Sequence, residues 1–280
     1  MSVGDFEFKL GWASEQEDTS YLHEKCSPLR IFGAYTPPKA IDPRKWLSIR
    51  FQMMESSCAG HGLTAAARVD NYFATRGGVI DLSPQFSYRV GQMKCGIRGD
   101  QGCTISGVVQ GAKDYGVLLE EDLPYTGDYN LEPTRENFDA AKDHLVRTHT
   151  ALYSYNDVFN FLAAGLGAVV IGIPWQESLA NHRQTKEPVE SVEGQSLGGH
   201  CVALVGYVED KDSDGNNYII LVNSHGDQWG DRGTTLVASS VFRTWCGSPQ
   251  CELSGISDME VYNAGRADFL NNPPTYQPYR

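Results

Sequence analysis

The chain has 280 residues, 41% of them hydrophobic, and sets 23 Lys+Arg against 35 Asp+Glu for a net charge of −12. That length buries a substantial core in one large or two modest domains, and 29 Gly with 13 Pro fit a loop-rich globular protein rather than a disordered or repetitive one. The acidic balance disfavours nucleic acid as a partner, and neither a leader-like start nor an apolar run long enough for a bilayer is found, so a cytoplasmic protein without membrane association is expected.

Residues 1–40 read as a polar, irregular arm, extended at Tyr35-Thr36-Pro37-Pro38 because proline steers its predecessor away from helix. Ser56 and Ser57 are good caps for a helix through Leu63, Ala66, Val69 and Phe73 that stops at Gly77-Gly78, which puts Cys58 in its first turn. Ser83 with Pro84 starts a second helix, and residues 105–115 form a third. Asn156 is expected to cap a helix ending near Gly165, before a buried strand from Ala168 to Ile173. Strands at 201–208 and 218–223 flank an Asp/Gly/Asn cluster that suits a hairpin connection, and residues 263–280 read as a tail. Helices followed by strands give an α+β class, with the boundary between the halves as the natural place for a cleft.

Seven cysteines leave at least one sulfur unpaired within the chain. Cys95 with Cys103, and Cys246 with Cys251, are spaced for local bridges, for metal half-sites or for free thiols alike, although neither pair has the C-x-x-C spacing of a zinc site. Asp210-Lys-Asp212-Ser-Asp214-Gly215 begins like a calcium loop, but its twelfth position is Leu221 where a bidentate Glu is needed, so it reads as a solvated turn.

The chemistry gathers around Cys58. A helix N-terminus favours thiolate, the nucleophilic form of cysteine. His200 follows Gly198 and Gly199 at the mouth of a strand, where glycines let a substrate backbone approach. The interval from 58 to 200 lies within the roughly 130–150 residues that separate nucleophile from base in one large class of thiol hydrolases. Asn223 then opens the stretch Asn223-Ser-His-Gly-Asp-Gln-Trp229-Gly230-Asp-Arg-Gly233, and Gln52 stands shortly before Cys58.

In this order and spacing the chain resembles the papain family of cysteine peptidases over residues 41–262, whose Asn-Ser-Trp-Gly…Trp-Gly…Gly stretch is similar to 223–233 and whose intervening landmarks look like Leu82-Ser-Pro-Gln and Gly116-Val…Pro124-Tyr125. The resemblance implies a two-lobed fold, a helical lobe over about 52–150 and an antiparallel, barrel-like β lobe over about 151–262, with the cleft between them. It further implies Cys58 as nucleophile, His200 as acid and base, Asn223 orienting the imidazole, and Gln52 with the Cys58 N–H stabilising the oxyanion. Gly102, Gly198 and Gly199 would meet the substrate backbone, and Trp229 would shield the His–Asn bond. Peptide or protein substrates follow, with no cofactor and no metal.

Departures from the family are also legible. Ala59-Gly60-His61 replaces the usual Trp-Ala-Phe, and His225 stands where the family has a tryptophan. Glu55 replaces the cysteine that the family bridges to its first helix, which agrees with a reducing compartment. His61 shares a helix face with Cys58 and reads as a polar helix residue rather than a perturbing group. No inhibitory segment of the family's usual length is expected ahead of Gln52, and whether the arm around Cys26 covers the cleft is open. Three other readings stand beside peptide hydrolysis: a noncatalytic binding protein of this fold, a Cys-His acyltransferase resolving its thioester with an amine, and a metal-binding structural protein.

Overall fold

The computed structural model describes residues 9–13, 36–75 and 78–257. Most of the expected arm, including Cys26, the stop at Gly77 and the tail 263–280, lies outside the described residues.

The central helix, α1 (Cys58–Thr75), is buried on every face over its first two turns, Cys58 to Thr64. A helix enclosed in this way has to be small and apolar all round, which is what Cys-Ala-Gly-His-Gly-Leu supplies. It packs on α2 (Pro84–Cys95) on one side and on the sheet on the other. Ser83 caps α2 as expected, its Oγ accepting from Phe86 N–H at 3.1 Å. Thr104 caps α3 (Ile105–Asp114), which ends one residue before the expected limit. A short α4 (Arg135–Ala141), not foreseen, is held by a capping box in which Thr134 and Asn137 satisfy each other's backbone.

The sheet has six strands in the order β1-β6-β2-β3-β4-β5, every neighbouring pair antiparallel: β1 (Thr148–Leu152), β2 (Ala168–Gln176), β3 (Ser196–Lys211), β4 (Asn217–Val222), β5 (Thr234–Val237) and β6 (Glu252–Ser257). It is an α+β fold whose sheet stays open, with β1 and β5 as its edges. Helix α5 (Tyr155–Ala163) precedes β2, a single turn α6 (Glu177–Ala180) follows it, and α7 (Ser239–Cys246) precedes β6. The cap of α5 is Ser154 rather than Asn156: Ser154 is in extended backbone, its Oγ accepts from Asp157 N–H at 3.2 Å, and the Asp157 carboxylate reaches back to it at 2.9 Å. Asn156 falls inside the first turn.

The β3–β4 connection is a turn built on Asp212, whose carboxylate accepts from the N–H groups of Asp214, Asn216 and Ser239. Asp214 pairs with Arg243 at 2.7 Å, so these carboxylates are committed within the protein. Adjacent strands carry the two sequence-predicted partners: His200 lies on β3 opposite Ile173, and Asn223 follows the last residue of β4. Among the described residues no helix is long and apolar enough to cross a membrane.

One connecting segment ties the halves together next to the site. Gln52 N–H donates to Ser224 O at 2.8 Å and Gly226 N–H to Arg50 O at 3.0 Å, while the Arg50 guanidinium reaches Glu120 at 2.9 Å and Asp81 at 2.7 Å. Backbone pairing on one side and ion pairs on the other fix where Gln52 stands.

Candidate functional site

Cys58 is the first residue of α1 and has no exposed surface. Burial pushes its thiol up to about 11, against the pull of the N–H groups of Cys201, Gly11, Ala59 and its own. Desolvation therefore outweighs the helix terminus, and the thiol is protonated at neutral pH in this arrangement.

His200 shares a hydrogen bond through Nε2 with Asn223 Oδ1 at 2.8 Å. The same Oδ1 accepts from Ser224 N–H at 2.8 Å, which fixes it as the oxygen and so places the imidazole proton on Nε2. Nδ1 is left with its lone pair and no partner among the described residues. His200 immediately precedes Cys201, whose N–H reaches the Cys58 sulfur. Burial lowers the His200 pKa to about 4, with Asn223 pulling it up, so the resting pair is neutral thiol and neutral imidazole.

Two rings enclose the His–Asn bond. Trp175 meets His200 edge-on at 4.5 Å between centroids, and His225 lies over it at 4.6 Å and 31°. Burial and the neighbouring His200 hold His225 well below the ordinary histidine range, so it serves as a neutral ring. Trp229, expected in the shielding and substrate-facing role, sits one ring further out. It packs on Trp175 and His182, is 2% exposed, and commits its indole N–H to Leu179 O at 2.7 Å. His61 lies in α1 as a buried histidine; it faces Ser57 and Tyr125, and burial brings it down to about 3.

The cleft is occupied by residues 9–13 of the chain itself. Gln52 Nε2 donates to the Lys9 carbonyl at 2.6 Å, while Gln52 Oε1 is held by Ser224 Oγ at 2.6 Å. Cys103 N–H donates to Gly11 O at 3.0 Å and Ala13 N–H to Cys103 O at 3.2 Å, as a parallel bridge; Trp12 N–H donates to Gly199 O at 3.3 Å. Lys9 Nζ pairs with Asp100 at 2.7 Å. The segment is thus clamped between the α1–α3 side and β3, directly over Cys58.

Gly102, Gly198 and Gly199 all face this segment. Gly102 has φ +79°, and a Cβ there would lie 1.8 Å from Gly11 O; one at Gly199 would lie 2.5 Å from Trp12 O, and one at Gly198 would lie 3.2 Å from the Leu10 side chain. Sequence reasoning missed three contributors: the Cys103 backbone, Trp175, and Gly172. The Trp12 indole lies across Gly172, where a Cβ would stand 2.4 Å from the ring. A glycine inside an apolar strand signals a close approach, which was the available clue. All six described cysteines are free thiols, which decides the pairs left open by spacing in favour of unbridged sulfur.

Comparison with known proteins agrees with the fold. Among solved structures, the chain is similar to xylellain, a cysteine protease from Xylella fastidiosa, with TM-score 0.71 and 18% identity over 89% of this chain and 96% of that one. It is also similar to digestive procathepsin L 3 of Tenebrio molitor larval midgut, with TM-score 0.63 and 20% identity over 89% and 84%. Bromelain from Ananas comosus, solved with the E64 inhibitor, gives 0.61 and 18% over 79% and 99%. At these identities the likeness speaks for the fold. No curated protein sequence matched. The family model for papain family cysteine proteases matches residues 37–256, and the chain belongs to that family.

Proposed function

We propose that the protein is a cysteine peptidase that cleaves peptide bonds by acyl transfer at Cys58, and that residues 9–13 hold it at rest. The observation that carries this reading is a peptide carbonyl, that of Lys9, held at 2.6 Å by Gln52 above a helix-terminal cysteine, beside a histidine oriented at 2.8 Å by Asn223. Once its proton has passed to His200 Nδ1, the Cys58 thiolate attacks a substrate carbonyl, whose oxygen takes up charge between Gln52 Nε2 and backbone N–H. The imidazolium of His200 protonates the leaving amine, the C–N bond breaks, and His200 then takes a proton from the water that hydrolyses the thioester. With the arm in place the buried thiol beneath it stays protonated at neutral pH, which keeps it a poor nucleophile.

The test is modification by E64, the inhibitor bound to bromelain, applied to the full chain carrying Gly11→Val, which loosens the arm. Addition located by mass mapping at Cys58, and absent after Cys58→Ala, is expected; a Cys58 that stays unmodified while peptides are cleaved assigns the chemistry elsewhere.

Two further outcomes follow from the geometry. Gln52→Ala should lower kcat by about 100- to 1,000-fold with little change in KM, because the lost donor acts on charge that exists only in the transition state. Gly172→Val fills the space now taken by the Trp12 ring. In the Gly11→Val chain it should shift cleavage from peptides that place an aromatic side chain there toward those with small ones, by about 10-fold or more in relative kcat/KM, measured on a substrate series varied at that position.

A further inference from the structure

We propose that Cys246 and Cys251 form a modification site, a dithiol that a hydroperoxide oxidises to a disulfide independently of Cys58. Cys246 is the last residue of α7 and Cys251 directly precedes β6. The turn between them is closed by Gly247 N–H to Arg243 O at 3.2 Å, Ser248 N–H to Trp245 O at 2.9 Å and Cys251 N–H to Ser248 O at 3.1 Å. That turn brings the two thiols close enough to act on each other, although they are unbridged.

The two thiols differ in the way such a reaction needs. Cys251 donates to Cys246, which draws the Cys246 thiol below its ordinary value and, together with burial, pushes Cys251 up. Cys246 also lines an open cavity of about 450 Å³ with Tyr155, Asn216, Ser239 and Arg243, so a small oxidant has access to it. Cys58, Cys103 and Cys201 are by contrast fully enclosed, and burial raises all three. The mechanism above uses neither Cys246 nor Cys251.

In the first step the Cys246 thiolate attacks a peroxide oxygen, the O–O bond breaks, and the departing hydroxide or alkoxide takes a proton to leave as water or an alcohol. Cys246 is then a sulfenic acid. In the second, Cys251 gives up its proton and attacks the Cys246 sulfur; the S–O bond breaks and water leaves. The two thiols together lose two electrons, which the peroxide accepts. The short turn places the resolving thiol within reach, so the sulfenic acid does not accumulate. The bridge would tie the end of α7 to the start of β6, a strand paired on both sides, and raise the unfolding temperature by a few degrees.

The experiment treats the full-length protein with graded hydrogen peroxide, blocks remaining thiols and maps each cysteine by mass. The expected result is a 246–251 disulfide, reversible by dithiothreitol, at peroxide levels that leave the half-buried Cys95 reduced. In Cys251→Ser a dimedone adduct should appear at Cys246, and in Cys246→Ser the thiol of Cys251 should stay reduced. Phenylarsine oxide, which bridges only thiols in contact, should cross-link the reduced pair one to one. Separate alkylation of Cys246 and Cys251 once Cys95 is oxidised, or failure of the arsenical to bridge them, overturns the proposal. Neither outcome touches the reading of Cys58, which the E64 label tests.

Discussion

Placing valine at position 11 in the full chain raises the rate of Cys58 alkylation by iodoacetamide at pH 7 by at least about 100-fold, and peptide hydrolysis rises with it. The reason is the fit of the arm. A Cβ on Gly11 would stand 2.0 Å from the Ser56 carbonyl oxygen, so no branched side chain fits between the arm and the start of α1. Because Trp12 belongs to the main hydrophobic core and Leu10 packs on it, displacing the arm should also lower the thermal unfolding temperature by a few degrees.

Displacing the segment returns water to the Cys58 sulfur and removes the main cause of its raised pKa, which is burial. At about 11 the thiolate fraction at pH 7 is about one in ten thousand, whereas an ordinary cysteine near 8.5 has a few per cent. The pH dependence carries the same sign. In the parent chain, alkylation should climb about tenfold per pH unit through the neutral range and level off only near 11; in Gly11→Val the plateau should arrive at least two units lower. Identical profiles for the two chains would show that the arm does not govern the thiol. Trp12→Ala, which empties the space over Gly172 without forcing a clash, should move the profile in the same direction by less.

The difference between what was legible and what was not follows from range. Cys58 at a helix start is a local fact about caps and stands where that cue points, whereas His200, expected just ahead of a strand at 201–208, lies inside β3, which begins at Ser196, and Asn223, expected to end a strand at 218–223, follows the last residue of β4. The arm carries no such cue. Residues 9–13 are Lys-Leu-Gly-Trp-Ala, without period or cap, and their place is decided by partners near positions 52, 100 and 199 that only the folded chain brings together. Whether the arm covers the cleft is therefore open from the sequence, and five residues suffice to cover one whose walls are already built. The aromatic shield is a second case. A Trp-Gly pattern at 229 drew the role to that residue, yet which ring meets His200 depends on the register of β2 against β3, and that register delivers Trp175. Ser154 displaced Asn156 as a cap for a simpler reason: either residue type caps well, and a choice two residues apart is settled by which one stays extended.

In the Gly11→Val background, Cys58→Ala and His200→Ala should each lower kcat/KM for a peptide amide by about 10,000- to 1,000,000-fold, and the double variant should be no worse than the poorer single one. In the proposed mechanism the thiol supplies the nucleophile and the imidazole moves its proton, so either would be idle without the other and their losses would not add. The imidazole is held for this role by the 2.8 Å bond to Asn223, which keeps Nδ1 unprotonated and available. Asn223→Ala should therefore fall between the parent and His200→Ala, with a larger effect on kcat than on KM, since it frees the ring rather than removing it. Gln52, fixed by Ser224 and by its own backbone bond, survives all three changes and should leave a measurable floor above the uncatalysed rate. Multiplicative losses in the double variant, or hydrolysis by Cys58→Ala that stays near the rate of its Gly11→Val background rather than at this floor, would mean that the two residues do not act as one device.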